Sequence, residues 1–285
     1  MKTIAVLLTI FNRREKTLQC LENLYKQIPV NGIKVDVYLT NDGCTDGTPE
    51  AVAENFPQVN IIHADGNLFW NRGMHLAWKI AAKEKDYDWY LWLNDDTFLK
   101  NDAISKLVTL SNNNSKTPNI IIGATKSSST DKLTYGGRHN KIGIPPCNGK
   151  PHQVDTFNGN IVLISKEAFL LNGNLDYYFS HSKGDIDYGL RARKNGILML
   201  QCGDVLGVCD EHTSLDKWCN PNIPFLQRIK LLHQPNGMPP KETFHLERKH
   251  YGLFPACIHF CSIYIRCILP QLWIKSTKKQ TIKTY

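Results

Sequence analysis

Residues 89–96 read Trp89-Tyr90-Leu91-Trp92-Leu93-Asn94-Asp95-Asp96. Five apolar residues stop abruptly on an amide and two carboxylates, the pattern of a strand buried on both faces whose carboxyl end reaches the surface. The same shape recurs upstream. Thr3 to Thr9 runs into Ile10-Phe11-Asn12-Arg13; Val35 to Thr40 runs into Asn41-Asp42-Gly43-Cys44-Thr45-Asp46-Gly47-Thr48; Val59 to His63 leads to Asp65-Gly66-Asn67 and on to Trp70-Asn71-Arg72-Gly73. Amphipathic stretches separate these runs: Arg14 to Gln27 with Leu18, Leu21, Leu24 and Tyr25 on one face, Pro49 to Asn55, and Arg72 to Lys85 with Met74, Ala77, Trp78 and Ala81. Short apolar runs alternating with helical periodicity predict an α/β fold with a mostly parallel central sheet flanked by helices. In such sheets ligands bind outside the carboxyl ends of the strands, so the polar residues after each run fall at one edge and form a candidate site.

Further along, Ala103 to Ser111 reads as a helix and Ile120 to Ala124 as a strand, after which the rhythm breaks. Ser127 to Pro151 is rich in Ser, Gly, Asn and Pro and reads as loops over the site, with a hairpin-like piece at Tyr135 to Arg138. Ile161 to Ser165 is a strand, Lys166 to Leu171 and Asp185 to Asn195 are helices, and Ile197 to Gln201 and Val205 to Val208 are two closing strands. Pro221 and Pro224 mark a boundary, giving a domain at 1–224 and a basic, amphipathic, helical extension at 225–285.

With 285 residues, 42% hydrophobic and 21% charged, the chain is globular, and disordered, collagen-like and mucin-like classes are excluded. No run of about 18 apolar residues is present, and the start lacks the length and cleavage site of a secretory signal, so the expected compartment is the cytoplasm. Nine cysteines without a CxxC pair point to reduced thiols. Cys257, Cys261 and Cys267 with His259 lie in an apolar stretch where cysteine acts as a small hydrophobe, not as a zinc ligand set. The formal charge of +8 lies wholly in residues 225–285, where ten Lys/Arg face only Glu242 and Glu247. That excess adjoins the apolar segment Tyr251 to Ile274, which Pro255, His259, Arg266 and Pro270 interrupt. The combination points to an anionic membrane surface contacted in the interfacial plane, and not to nucleic acid, with a merely solvated basic tail as the alternative. Neither GxGxxG nor GxxxxGK[ST] occurs, which excludes a dinucleotide oxidoreductase and a P-loop NTPase.

Taken in order, the strand ending in Thr9-Ile10-Phe11-Asn12-Arg13, the Asp42 to Thr48 turn, Gly66-Asn67 to Gly73, Asn94-Asp95-Asp96, and Gly184-Asp185-Ile186-Asp187 with Arg191 resemble family 2 glycosyltransferases. The resemblance is to the GT-A fold, particularly the rhamnosyltransferase-like branch, and covers about residues 3–215. Two positions depart from the family pattern: Gly184 stands where an acid usually precedes the later aspartate, and the strand-end triplet begins with Asn94 instead of Asp.

The resemblance implies an inverting transfer of a sugar from a UDP- or dTDP-linked donor to a hydroxyl of a glycan in cell-surface polysaccharide synthesis, and with the basic tail it points to a lipid-linked acceptor at the inner membrane face. It implies that Asp96 binds Mg²⁺ or Mn²⁺, with His212 a second contact, that Asp95 lies against the donor's ribose or sugar, and that Asp185 is the general base. Asp42 would accept from the base or ribose, with Thr9, Asn12, Arg13, Asn67, Arg72 and Gly73 lining the same crevice, and Asn158 and Gly159 shaping the sugar pocket. The chemistry is consistent, because a departing diphosphate builds charge that a carboxylate-held cation neutralises and an attacking hydroxyl needs a base. Phe69 and Trp70 could stack on sugar faces, whereas Trp89, Tyr90 and Trp92 read as core. Two alternatives remain: a sugar-1-phosphate nucleotidyltransferase, which would want a Gly-rich loop where Thr9 to Arg14 has no Gly, and a non-catalytic sugar-nucleotide-binding or membrane-scaffold protein.

Overall fold

The computed structural model describes residues 1–28, 32–211 and 216–271. The chain divides into two compact units, one of residues 1–180 and 184–211 and the other of residues 181–183 and 212–285. This division lies upstream of the boundary expected at 224/225, because Trp218 already packs with Leu232, Ile263 and Cys267 of the second unit.

The first unit alternates strands and helices: β1 (Lys2–Ile10), α1 (Arg14–Tyr25), β2 (Ile33–Asn41), α2 (Thr48–Asn55), β3 (Asn60–His63), α3 (Phe69–Glu84) and β4 (Trp89–Leu93). There follow β5 (Phe98–Leu99), α4 (Ala103–Asn113), β6 (Asn119–Lys126), β7 (Gly137–Arg138), β8 (His152–Gln153), β9 (Thr156–Phe157), β10 (Ile161–Ser165), α5 (Lys166–Asn172), α6 (Gly184–Lys194) and β11 (Leu198–Val208). The main sheet runs β3-β2-β1-β4-β10-β6-β11-β5, with β8 also on β11, while β7 and β9 pair separately. β1, β2, β3 and β4 are mutually parallel, as the apolar runs predict. β10 is antiparallel to both β4 and β6.

Strand alternation explains why these runs are apolar throughout. Ile4, Val6 and Leu8 of β1 and Trp89, Leu91 and Leu93 of β4 face one core, while Ala5, Leu7, Tyr90 and Trp92 face the other. The first core is closed by Cys20, Leu21 and Leu24 of α1 and Ile104, Leu107 and Val108 of α4. Met74, Ala77, Trp78 and Ala81 of α3 and Tyr188 and Ala192 of α6 close the second. Two buried faces leave no polar positions inside a strand, and each fully buried large side chain contributes about 1.5–3 kcal/mol.

The second unit holds a 3₁₀ turn at Lys217–Cys219 and helices α7 (Phe225–His233), α8 (Pro240–His250) and α9 (Leu253–Ile268). Arg228, one of the ten Lys/Arg of residues 225–285, is 7% exposed. Its Nε donates to the Cys267 carbonyl at 2.9 Å and its Nη2 to the Ile268 carbonyl at 3.4 Å, so it caps the carboxyl end of α9.

Candidate active site

The strand order reverses between β1 and β4: from β1 the chain builds outward through β2 and β3, then returns to place β4 on the other flank. At such a switch point the two following loops diverge and open a crevice. The loop after β1 carries Arg13 and the loop after β4 carries Asp95 and Asp96. Arg13 Nη1 lies 2.7 Å from Asp96 Oδ2 and 3.3 Å from Asp95 Oδ1. Burial pushes the Asp95 carboxyl up to about 7, against the pull of Arg13 and with Asp96 adding to the rise. Cys209, after β11, places Sγ 3.8 Å from Asp96 Oδ1.

Asn94, the departure at the head of the triplet, has a partner of its own. Trp70 Nε1 donates to Asn94 Oδ1 at 2.7 Å, and the Trp70 ring meets Trp92 edge-on. Asn94 N–H donates to the Asn160 carbonyl at 3.2 Å. A carboxylate at 94 would add a third negative group beside an Asp95 already short of solvation, whereas the neutral amide accepts the indole N–H without that cost. On its other side Trp70 abuts Gly159, where an added Cβ would fall 2.6 Å from the ring. Gly159 N–H in turn donates to Asp185 Oδ2 at 3.1 Å, and Ile186 N–H donates to Oδ1 at 2.8 Å. Desolvation raises the Asp185 carboxyl above its ordinary value, and those two N–H groups oppose the rise. Trp70 therefore bridges the loop after β4 and the segment that holds Asp185.

Gly184, the second departure, is enforced by packing. A Cβ there would lie 1.7 Å from Asn71 Oδ1, and Asn71 is fully buried with its Nδ2 donating to the carbonyls of Asp176 and Phe179. Asp187, two residues beyond Asp185, is buried and pairs with Arg191 at 2.8 Å within α6.

Asp42 is 2% exposed, and its carboxylate accepts from the N–H groups of Leu68 at 3.0 Å and Phe69 at 2.7 Å. It thereby caps α3 from a distant loop, which is why that helix begins at Phe69 and not at Arg72. Gly43 and Gly66 both adopt positive φ, and a Cβ on Gly43 would meet Gly66 Cα at 2.8 Å, so glycine permits the turn to approach the 65–67 loop. Asn12, at φ 49°, accepts from Thr45 N–H at 2.8 Å and its own N–H donates to Cys44 Sγ at 3.3 Å. Thr9 packs against Gly73, where a Cβ would come 2.4 Å from Thr9 Cγ2. Asn67 is exposed, with its N–H on Asp65 Oδ1 at 3.3 Å.

Two of the expected site residues hold other loops. Arg72 donates to the Tyr177 and Tyr178 carbonyls at 3.1 and 3.3 Å, and Asn158 Oδ1 accepts from Arg138 Nε at 3.0 Å. His212 lies outside the described residues. Trp89, Tyr90 and Trp92 are buried in the sheet, as read from the sequence.

Glycosyl transferase family 2 matches residues 5–179, more than half of the chain. The chain belongs to that family. The matched segment carries Asp42, Arg13, Asp95, Asp96, Asn158 and Gly159 and stops short of Asp185. Among solved structures, S. aureus TarS 1-349 is 12% identical with a TM-score of 0.56, covering 97% of this chain and 73% of that one. S. aureus TarS 1-349 in complex with UDP is 13% identical with a TM-score of 0.55, covering 87% and 73%. A longer TarS structure is 12% identical with a TM-score of 0.55, and this chain spans 44% of it. At such identities the likeness is one of fold, and with the family match it establishes the GT-A architecture. A search of curated protein sequences gave no significant match.

Proposed function

We propose that this glycosyltransferase moves a hexosyl or rhamnosyl group from a UDP- or dTDP-linked donor to a hydroxyl of a lipid-linked glycan, with inversion, in cell-surface polysaccharide synthesis. The observation that carries the reading is the meeting of Arg13 with Asp95 and Asp96 at the switch point of the sheet. The similarity to a UDP complex of TarS supports a nucleotide-linked donor.

The residues fit a divalent cation. Asp96 and Asp95 offer hard oxygen donors, and a carboxyl pushed up to about 7 is a group that gains from added positive charge. Asp96, with His212 as a second contact, would hold Mg²⁺ or Mn²⁺, which when bound neutralises charge on the departing diphosphate. Thr9, Asn12, Asp42, Asn67, Arg72, Gly73 and Asp95 form the proposed donor pocket, and Asn158 and Gly159 shape its sugar end. Arg13 supplies a further positive charge beside the carboxylates. Asp185 takes the proton from the acceptor hydroxyl as its oxygen bonds to the anomeric carbon and the bond to the diphosphate breaks. A carboxyl raised by desolvation is the stronger base for that step. The enzyme would work in the cytoplasm, peripheral at the inner face of the membrane through residues 225–285.

The test is a thermal-shift and hydrolysis screen of the purified chain against UDP-, dTDP- and GDP-sugars, with and without Mg²⁺ or Mn²⁺, beside Asp96→Ala. Metal-dependent stabilisation by one nucleotide class, abolished in Asp96→Ala, is the expected result. A folded protein that responds to no donor in the presence of metal overturns the reading.

A further inference from the structure

Helix α9 buries Ala256, Ile263 and Cys267 against its own unit. The opposite side is also apolar. Phe254 (77% exposed), Ile258, Cys261, Ile265 and Ile268 follow one another at steps of four and three residues, which puts them on one stripe of the helix, and all are exposed. Arg266, His259 and Ser262 fall to one side of that stripe, and no charged residue interrupts it. A helix apolar on both sides needs a second covering surface.

We propose that this outer stripe of α9 lies in the plane of an anionic lipid bilayer, inserted to the headgroup boundary. The proposal deepens the membrane location given above and rests on it. Three observations select lipid as the cover. At 16 residues α9 is about 24 Å long, and among the described residues no helix is long and apolar enough to cross a membrane, so an in-plane position is the one available. Residues 251–285 contain Arg266, Lys275, Lys278, Lys279 and Lys283 and no Asp or Glu, which complements anionic headgroups. The same steps of four and three suit a helix seam between two copies, but self-pairing would set two such cationic segments against each other without acidic partners.

The experiment is flotation of the full chain with vesicles of neutral lipid and of neutral lipid containing about one-third anionic lipid, at about 0.1 M salt. Phe254→Ser/Ile265→Ser and Lys275→Gln/Lys278→Gln/Lys279→Gln are compared, with thermal midpoint and nucleotide response as checks on folding. We expect binding to anionic vesicles only. The apolar double variant should lose roughly tenfold or more of its partitioning at an unchanged midpoint, and the lysine variant roughly fivefold per charge, less at high salt. Undiminished binding by the folded Phe254→Ser/Ile265→Ser variant overturns the α9 face and leaves the membrane location standing. No binding by the unsubstituted chain overturns both. A dimer in sedimentation equilibrium that the double variant dissociates assigns the stripe to a second copy and also overturns the proposal.

Discussion

Asp95 and Asp185 are both desolvated carboxyls raised above their ordinary values, yet they are held by different means. Asp95 sits beside another carboxylate and is answered by a guanidinium across the switch point. Asp185 is answered by two main-chain N–H groups, from Gly159 and Ile186, with the Arg138 charge adding to their pull. A full charge partner pulls the carboxyl back toward its ionised form, which suits a group that shares its charge with a cation or a ligand. Dipolar partners leave a carboxyl free to gain a proton without breaking an ion pair, which suits a base. The contrast is what the proposed function expects, with the loop after β4 binding the donor and the start of α6 moving the proton.

The largest effect that would break or sharpen this contrast is that of Asp185→Asn. The amide keeps an oxygen for one N–H but cannot take a proton, so kcat should fall about 10²–10⁴-fold while donor affinity, read by nucleotide thermal shift, stays within about threefold. Equal loss of donor binding would place Asp185 with the binding group and erase the distinction.

The next effect concerns stability. Because the folded-state value for Asp95 is raised from 3.8 to about 7, the group favours the fold below its unfolded value and loses that contribution as pH rises through about 7. Asp95→Asn removes the titration. The variant should therefore gain on the parent protein with rising pH, by an amount on the order of 2–4 kcal/mol at pH 8. Chemical denaturation at pH 5 and pH 8 reads this directly, and a pH-independent difference would show that Arg13 holds Asp95 ionised throughout.

How much of this was legible beforehand follows from which signals are local. The parallel core β1 to β4 and the polar strand ends were readable, because burial on both faces makes a continuous apolar run and the site edge makes an abrupt polar stop. Strand direction was not: Ile161 to Ser165 reads identically in either sense, and it lies antiparallel between β4 and β6. Ile197 to Gln201 and Val205 to Val208 read as two strands because Gly203 interrupts them, but Leu198–Val208 is the single strand β11 with register shifts. Gly203 is there because a Cβ would lie 2.4 Å from the Gly149–Lys150 backbone. The sequence places the start of α3 late, at Arg72, for a related reason: its cap, Asp42, comes from 26 residues upstream of Leu68, and the residue at the cap position itself is Leu68, which has no side-chain acceptor. At the site, the residue types were readable from the motifs, whereas the pairings were not. Arg13 with the two aspartates, and Trp70 with Asn94, are contacts between loops that only the sheet order brings together.

The smallest predicted effect tests that last pairing. Trp70→Phe keeps an aromatic ring against Gly159 and Trp92 but removes the indole N–H that Asn94 accepts. Losing one partly buried hydrogen bond should lower stability by about 1 kcal/mol. If Trp70 also couples the loop after β4 to the segment holding Asp185, kcat falls several-fold while the apparent donor affinity changes little, because the base is displaced and the Arg13–Asp95–Asp96 group is not. Asn94→Asp in the same background separates the two contributions. Restoring the acid without the indole donor leaves a third carboxylate beside Asp95, so it should weaken the protein further at pH 8 than at pH 5. A Trp70→Phe enzyme with unchanged kcat and the same stability loss would confine Trp70 to packing, and the binding and proton-transfer groups would then be joined only through the sheet.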